Sequence, residues 1–160
     1  MKYFISVIFV MVSLCAYGEV SKLDYEEIPP DALESINSYS ARTVAMMKQG
    51  GAAEFDYSEK SVKFLSGVID DEGPTYSEKA RNMLPTIWGA YLGDAIIKKH
   101  GGKWVKFANS YAVMVNQSGV LFPMSKVDKH ISNGKEDSIY GLYLLAGENA
   151  ENIAEALEKP

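Results

Sequence analysis

Apolar residues recur every three or four positions through the first half of the chain, and this spacing predicts helices. The first helix is expected to begin at Asp31, which can form a capping box with Glu34, and to end at Gly50. The second is expected over about residues 58–69. The acidic run at residues 70–74 predicts a turn, since calcium would need more oxygen ligands at alternating spacing. The apolar positions of these two helices are Leu33, Ile36, Val44, Met47, Val62, Leu65, Val68 and Ile69.

A third helix, expected from about Thr75, is the most apolar and contains two glycines. Its apolar arc consists of Leu84, Ile87, Trp88, Tyr91, Leu92, Ala95 and Ile96. Pro85 predicts a kink or a short break near Leu84, because proline removes a backbone hydrogen bond. Gly89 and Gly93 lie one turn apart, and each costs about 1 kcal/mol of helix propensity relative to alanine. We therefore expect the two glycines to form a groove into which another backbone packs closely.

The hydrophobic period changes to that of strands after Gly101. Three short segments rich in β-branched and aromatic residues follow, at residues 103–107, 111–115 and 120–122. Turn residues separate them, so they predict an antiparallel meander. Shorter helices are expected after Pro123, from about Glu136, and from Asn149. The pattern predicts one α+β domain over residues 31–160, with helices around a small three-stranded antiparallel sheet.

The first 18 residues are typical of a secretory signal peptide. Lys2 precedes an apolar run at residues 3–14, and the segment ends in small residues up to Gly18, where a signal peptidase would cut. The apolar run is short for a membrane span, which needs roughly 20 residues. We expect an exported protein, periplasmic or secreted, with an extended lead-in at residues 19–30 and no membrane insertion after signal removal.

Cys15 is the only cysteine and lies inside this signal. A lipoprotein signal would place the lipid on Cys15, but Leu14 stands where a small residue is expected. Plain cleavage is the favoured alternative and leaves a mature chain without a thiol. That chain has no disulfide, thiolate metal ligand or cysteine nucleophile.

The net charge of the chain limits the classes of partner that it can bind. With 16 Lys and Arg against 21 Asp and Glu, the formal net charge is −5. An acidic surface without a basic cluster repels phosphate backbones and anionic membranes. We expect no nucleic-acid partner, and the sequence contains no phosphate-binding loop or dinucleotide fingerprint, so no cofactor is predicted.

The segment WGAYLGDAIIKKHGGKW, followed by Pro123 and by SNGKEDSI, resembles a family of bacterial domains of unknown function. The shared pattern is a G-x-Y-x-G-E helix, a Gly-Gly stop, a tryptophan and a later proline before a short helix. The likeness covers residues 84–143 and departs at Asp94, where the family has the longer glutamate. The resemblance implies the fold and a role connected with secretion or toxin neutralisation, without assigning a reaction.

Few residues are candidates for chemistry. Asp94 lies on the most apolar helix, so it is either a buried acid with a raised pKa or a hydrogen-bond anchor for a strand or loop. His100 and His130 are the only histidines, and with Asp94 and Asp128 they are too sparse for zinc, so no metal site is predicted. His100 is expected at a helix end and His130 on a short exposed helix.

Aromatic residues are the other candidates, because tyrosine and tryptophan are enriched at protein interfaces. Trp104 and Tyr111, on the predicted strands, are candidates for a recognition face, although burial in the core is the simpler interpretation of each tyrosine.

These observations leave three hypotheses for function. The leading one is a small exported protein that binds another protein as an accessory or immunity-type factor, without catalysis. The second is a hydrolase that uses carboxylates such as Asp94 with His100 or His130. The third is a periplasmic small-molecule binder with a pocket between the sheet and the Gly89/Gly93 helix.

Overall fold

A computed structural model describes residues 25–115 and 119–148. Along the chain one short strand is followed by three helices, three strands and two further helices. Within these ranges the elements are β1 (Glu26–Glu27), α1 (Pro30–Gln49), α2 (Glu59–Glu72), α3 (Glu78–His100), β2 (Lys103–Phe107), β3 (Ser110–Val115), β4 (Gly119–Leu121), α4 (Pro123–Asn133) and α5 (Ile139–Leu145). The architecture is α+β, as predicted. The helix expected from Asn149 lies outside the described residues.

Helix α1 begins one residue earlier than expected. Pro29 is its N-cap and makes no side-chain cap hydrogen bond, so the capping box predicted for Asp31 is absent. Pro30 occupies the first helical position, where its fixed φ angle suits a helix and its missing N–H is not needed. Asp31 instead lies in the first turn, where its negative charge complements the helix dipole.

Helices α2 and α3 are both capped by serines. Ser58 accepts a hydrogen bond from the N–H of Ser61, and Ser77 from that of Ala80. Helix α2 continues through the acidic residues that were expected in a turn and ends at Glu72.

Helix α3 also continues through Pro85, so of the two alternatives, a kink or a short break, the break is absent. The residues that follow it are buried, and this packing outweighs the backbone bond that proline cannot donate.

The core is built around α3, which is covered on nearly every side from Trp88 to Ile96. Its buried residues are Trp88, Gly89, Ala90, Tyr91, Leu92, Gly93, Ala95 and Ile96. Helices α1 and α4 make the most extensive helix contacts with it. Such a helix has no polar face, so its stability comes from the elements that cover it rather than from amphipathic patterning.

The two glycines of α3 admit different neighbours. A Cβ atom at Gly89 would lie 2.5 Å from Cα of Met124 and 2.8 Å from its backbone nitrogen, so this glycine receives the backbone at the start of α4. A Cβ atom at Gly93 would overlap the six-membered ring of Trp104. The groove therefore holds one backbone, as expected, and one indole ring from β2.

The sheet has four strands, in the order β1-β2-β3-β4 and all antiparallel, so the prediction of three strands is wrong. The three meander strands lie where they were expected. The additional strand, β1, falls in the lead-in and pairs Glu26 with Lys106 and Glu27 with Val105. The sequence pattern did not predict β1, because two adjacent glutamates have no hydrophobic period. Ion pairs from Glu26 to Lys106 and from Glu27 to Lys103 accompany its backbone pairing with β2.

Arg81, in the first turn of α3, joins three segments of the chain. Its guanidinium donates hydrogen bonds to the carbonyl oxygens of Gly73 at 2.8 Å, Tyr76 at 3.2 Å and Ile131 at 3.4 Å. These carbonyls belong to the turn after α2 and to the last part of α4. Helix ends leave such carbonyls without intrahelical partners, and a charged donor stabilises them.

No helix among the described residues combines the length and hydrophobicity that a membrane crossing requires.

We expect Gly89→Ala to destabilise the protein by about 2–3 kcal/mol, because the new methyl group would displace the backbone of Met124. Gly67→Ala is the matched control. Nothing lies within 4 Å of a Cβ at Gly67, which is also in a helix, so alanine there should stabilise by about 0.5–1 kcal/mol. Urea unfolding of the two variants measures both effects, and equal effects would contradict the packing argument.

Candidate functional site

Asp94 anchors the first long strand of the sheet to α3. The indole Nε1–H of Trp104 donates a hydrogen bond of 2.9 Å to Oδ1 of Asp94, one residue after the glycine on which the ring lies. Trp104 is 4% exposed, so its N–H would otherwise be buried without a partner. The carboxylate has a structural partner on a strand, which is one of the two roles open to it from sequence.

His130 is buried, not exposed as expected, and links α2, α4 and α5. Its Nε2 lies 2.9 Å from Oδ1 of Asp70, and its Nδ1 accepts a hydrogen bond of 3.3 Å from the N–H of Ile139. Because Nδ1 accepts a hydrogen bond, the ring proton is on Nε2, and the Nε2–H group donates a hydrogen bond to the Asp70 carboxylate. The pair resembles a catalytic His–Asp dyad, but the nitrogen that would act as the base already binds a peptide N–H.

His100 fastens the end of α3 to α5. Its Nε2 donates to the carbonyl oxygen of Tyr143 at 2.8 Å, and the imidazole contacts the Tyr143 ring edge-on. A Cβ atom at Gly147 would overlap Nδ1, so the chain at Gly147 packs directly against the Nδ1 edge of the imidazole. His100 and His130 thus both hydrogen bond to the backbone of α5, at different residues, and neither hydrogen bonds to a hydroxyl group within the described residues.

The remaining sequence candidate, Tyr111, lies on β3 opposite Lys106 and packs partly buried against the core. The candidate residues are therefore not brought together into one site. Among the residues that the structure describes, no three His, Cys, Asp or Glu side chains are grouped so that they could hold a metal ion.

A pocket that the sequence did not indicate opens where the end of α3 faces the start of α2. Its volume is about 490 Å³, and it is lined by Asp56, Tyr57, Ser58, Lys98, Lys99 and Tyr143. We call it the tyrosine–lysine pocket. These residues come from three distant parts of the chain. Lysines at a helix end complement the helix dipole and tyrosines are often buried in the core, so neither residue type marks a pocket in the sequence.

Both lysines of this pocket lie over tyrosine rings. The Nζ atom of Lys98 is 4.0 Å from the ring centroid of Tyr57, and that of Lys99 is 4.5 Å from the ring centroid of Tyr143. Lys99 also forms an ion pair of 3.0 Å with Glu59. No carboxylate of the described residues lies within ion-pair distance of Lys98, so its charge is balanced only by an aromatic face.

Hydrogen bonds hold Asp56 at the rim of the pocket. Its Oδ1 accepts from the N–H of Ser58 at 2.8 Å and from the hydroxyl of Ser61 at 2.9 Å. Hydrogen bonds from Ser58, followed by that from Ser61, hold the pKa of this carboxyl below its usual value. Beneath it, Tyr91 donates to the Asp56 carbonyl oxygen at 2.7 Å, and its ring stacks on Tyr57.

A second, more apolar groove lies beside the loop between α1 and α2. Its volume is about 420 Å³, and it is lined by Gly51, Ala52, Ala53, Glu54, Phe55, Lys60, Ser61 and Phe64. We call it the Phe64 groove. Phe64 is 49% exposed although it packs edge-on against the buried Phe55, at 6.1 Å between ring centroids. An exposed, partly supported phenylalanine beside a groove is a feature of protein-binding surfaces.

Comparison with known proteins adds no relative: no family model, curated protein or solved structure matches this chain. The family resemblance of residues 84–143 therefore stays a prediction.

We expect Asp94→Ala to destabilise the fold by about 1–3 kcal/mol, since the buried indole N–H of Trp104 loses its acceptor. Asp94→Asn keeps an oxygen that can accept this bond and should cost less than about 1 kcal/mol. Denaturant unfolding, followed by tryptophan fluorescence, compares the two. An Asp94→Asn variant of unchanged stability that loses partner binding would contradict a purely structural role.

Because the pKa of Asp56 is lowered in the folded protein, the stability that its hydrogen-bonded carboxylate contributes depends on pH. The folded-state pKa lies below the unfolded one, so this contribution is fully present above about pH 4 and is lost as the pH falls through the folded pKa. Asp56→Ala should therefore be less stable than the parent protein at pH 7, with a smaller difference at pH 2.5. Parallel urea titrations at the two pH values test this. A difference that stays constant would show that the charge of Asp56 is not involved.

Proposed function

We propose that this protein is an exported, non-catalytic accessory factor that binds another protein through the Phe64 groove. The observation that carries the proposal is the half-exposed Phe64 ring at the edge of a groove lined by small and apolar residues. A partner side chain placed in this groove would bury Phe64 and displace water from the alanines beside it. Large aromatic side chains that become buried supply much of the energy in such interfaces.

The surroundings of the groove favour recognition of a polar protein surface. Glu54 and Lys60 form an ion pair of 3.0 Å at its rim, and both side chains are more than 80% exposed. Charges in such a position contribute little to stability and are free to pair with a partner. An apolar centre with a charged rim is the usual arrangement of a protein–protein interface.

A role as a hydrolase is less well supported. The candidate general bases have structural partners: Asp94 accepts from Trp104, and each histidine binds backbone groups. A general base must reach the proton that it abstracts, and none of these groups faces either cavity described above.

Export rests on the signal-like composition of residues 1–18, and a role in secretion or toxin neutralisation rests on the family resemblance. Both belong to the proposal. The acidic net charge of −5 favours a protein partner over nucleic acid.

The test is quantitative capture from extracts of the cells that make the protein. Purified parent protein, Phe64→Ser and Met83→Ser serve as baits. Met83 is the matched control, because it is an apolar side chain of similar exposure, 48%, on another helix. We expect one protein to be enriched by the parent and by Met83→Ser, and at least about tenfold less by Phe64→Ser.

Circular dichroism establishes that all three baits are folded. A protein captured equally by all three, or no protein above background, would overturn the assignment of the Phe64 groove as the binding surface.

A further inference from the structure

We infer that residues 149–160 of this chain dock into an apolar groove beside α5, which we call the α5 groove. Its volume is about 430 Å³, and its apolar lining residues are Leu121 of β4 together with Leu142, Leu145 and Ala146 of α5 and its C-cap. Helix α4 and the turn after it contribute polar residues to the lining. The groove shares no lining residue with the Phe64 groove, so the inference stands whether or not that groove binds a protein.

Helix α5 leaves apolar surface uncovered at this groove. Leu145 lines the groove and is 44% exposed, whereas Ile139 and Tyr143 of the same helix are buried in the core. Leu142, which also lines it, is only partly buried against the core. Apolar side chains gathered around one concave surface and left partly exposed are typical of a site that another segment covers. The occupant of the α5 groove therefore needs an apolar face.

The described part of the chain ends beside this groove. The N–H of Glu148 donates a hydrogen bond of 3.0 Å to the carbonyl oxygen of Leu145, so the chain turns directly after α5. Ile153 follows Glu148 by five positions, and an extended tether of that length spans at most about 17 Å. Such a short tether gives residues 149–160 a high effective concentration at the groove. The same segment of a second copy lacks this advantage, which favours docking within one chain.

Residues 149–160 have a matching apolar pattern in sequence. Ala150, Ile153, Ala154 and Leu157 recur at intervals of three and four, which predicts one apolar face on a helix. From the first to the last of these residues such a helix rises about 10 Å. A helix of this length is marginal in water on its own, so its apolar face requires a surface to pack against. The uncovered leucines of the α5 groove supply that surface.

The charges of the segment and of the groove are complementary. The charged residues of the segment are three glutamates and one lysine, Glu151, Glu155, Glu158 and Lys159. The groove lining has the opposite balance, with Lys126 and Lys135 against Glu136. Lys126 pairs with Asp137 at 2.9 Å, while Lys135 makes no ion pair with any residue that the structure describes. Exposed ion pairs contribute little to stability, so the charges orient the segment and the apolar face supplies most of the binding energy.

The experiment is methyl NMR of the purified protein with labelled isoleucine and leucine side chains. We expect nuclear Overhauser contacts from the methyl groups of Ile153 and Leu157 to those of Leu142 and Leu145. A sample that mixes labelled with unlabelled copies separates contacts within one chain from contacts between two copies. The methyl resonances of the buried Ile96 establish that each variant is folded.

Two pairs of matched variants test the two surfaces. Ala154→Asp places a charge on the apolar face and should abolish these contacts, whereas Ala156→Asp, the same substitution outside that face, should preserve them. Leu145→Ser should remove the remaining contacts to the groove, and Leu144→Ser should keep them, since Leu144 is similarly exposed, at 39%, but does not line the groove. Amide hydrogen exchange at Leu157 should be at least about tenfold faster in Ala154→Asp than in the parent protein.

Contacts within one chain that respond to these variants as stated support the inference. It is overturned if Ile153 and Leu157 contact neither leucine in the folded protein, a result that would leave the groove to another occupant. Contacts found only between copies would assign the groove to a second copy and equally overturn docking within the chain. So would a control variant that loses the contacts as fully as the variant with which it is matched.

Discussion

The burial of the middle turns of α3 on nearly every side is the constraint on which the rest of the structure depends. From Trp88 to Ile96 the helix offers solvent almost no surface, so each neighbouring element is needed to cover it. Two glycines make this coverage close enough: α4 begins against Gly89, and the Trp104 ring lies on Gly93. The free energy that each glycine costs in helix propensity is offset by the apolar surface that this contact buries.

The tyrosine–lysine pocket and the Phe64 groove lie where this burial ends. At Lys98 the helix leaves the core, and its last residues meet the start of α2 and the side of α5. Lys99 pairs there with Glu59 of α2 and lies over the Tyr143 ring of α5, and the side chains around it line the tyrosine–lysine pocket. The Phe64 groove lies on the side of α2 that does not pack against the core. The histidines and Asp94 act as structural links inside the fold, and these two cavities lie at its edge.

Local patterns allowed most elements to be predicted, and long-range contacts explain the rest. The three large helices and the meander strands follow from hydrophobic periodicity, although the capping box predicted at Asp31 is absent. Strand β1 has no hydrophobic pattern, and its ion pair from Glu26 to Lys106 joins residues 80 positions apart. The burial of His130 depends on Asp70, 60 positions away, whose acidic neighbourhood was expected to be a solvated turn. The tyrosine–lysine pocket combines three such distant segments, so no local signal marks it.

Both outer strands of the sheet are short, and this protects the protein against intermolecular strand addition. Strand β1 has two residues and is followed by α1, which begins at Pro30, whereas β4 has three residues and is followed by α4, which begins at Pro123. Each edge thus presents few unpaired backbone groups, and the charged side chains of β1 oppose stacking on another sheet. The two edges of this sheet are therefore poor templates for a strand from a second chain.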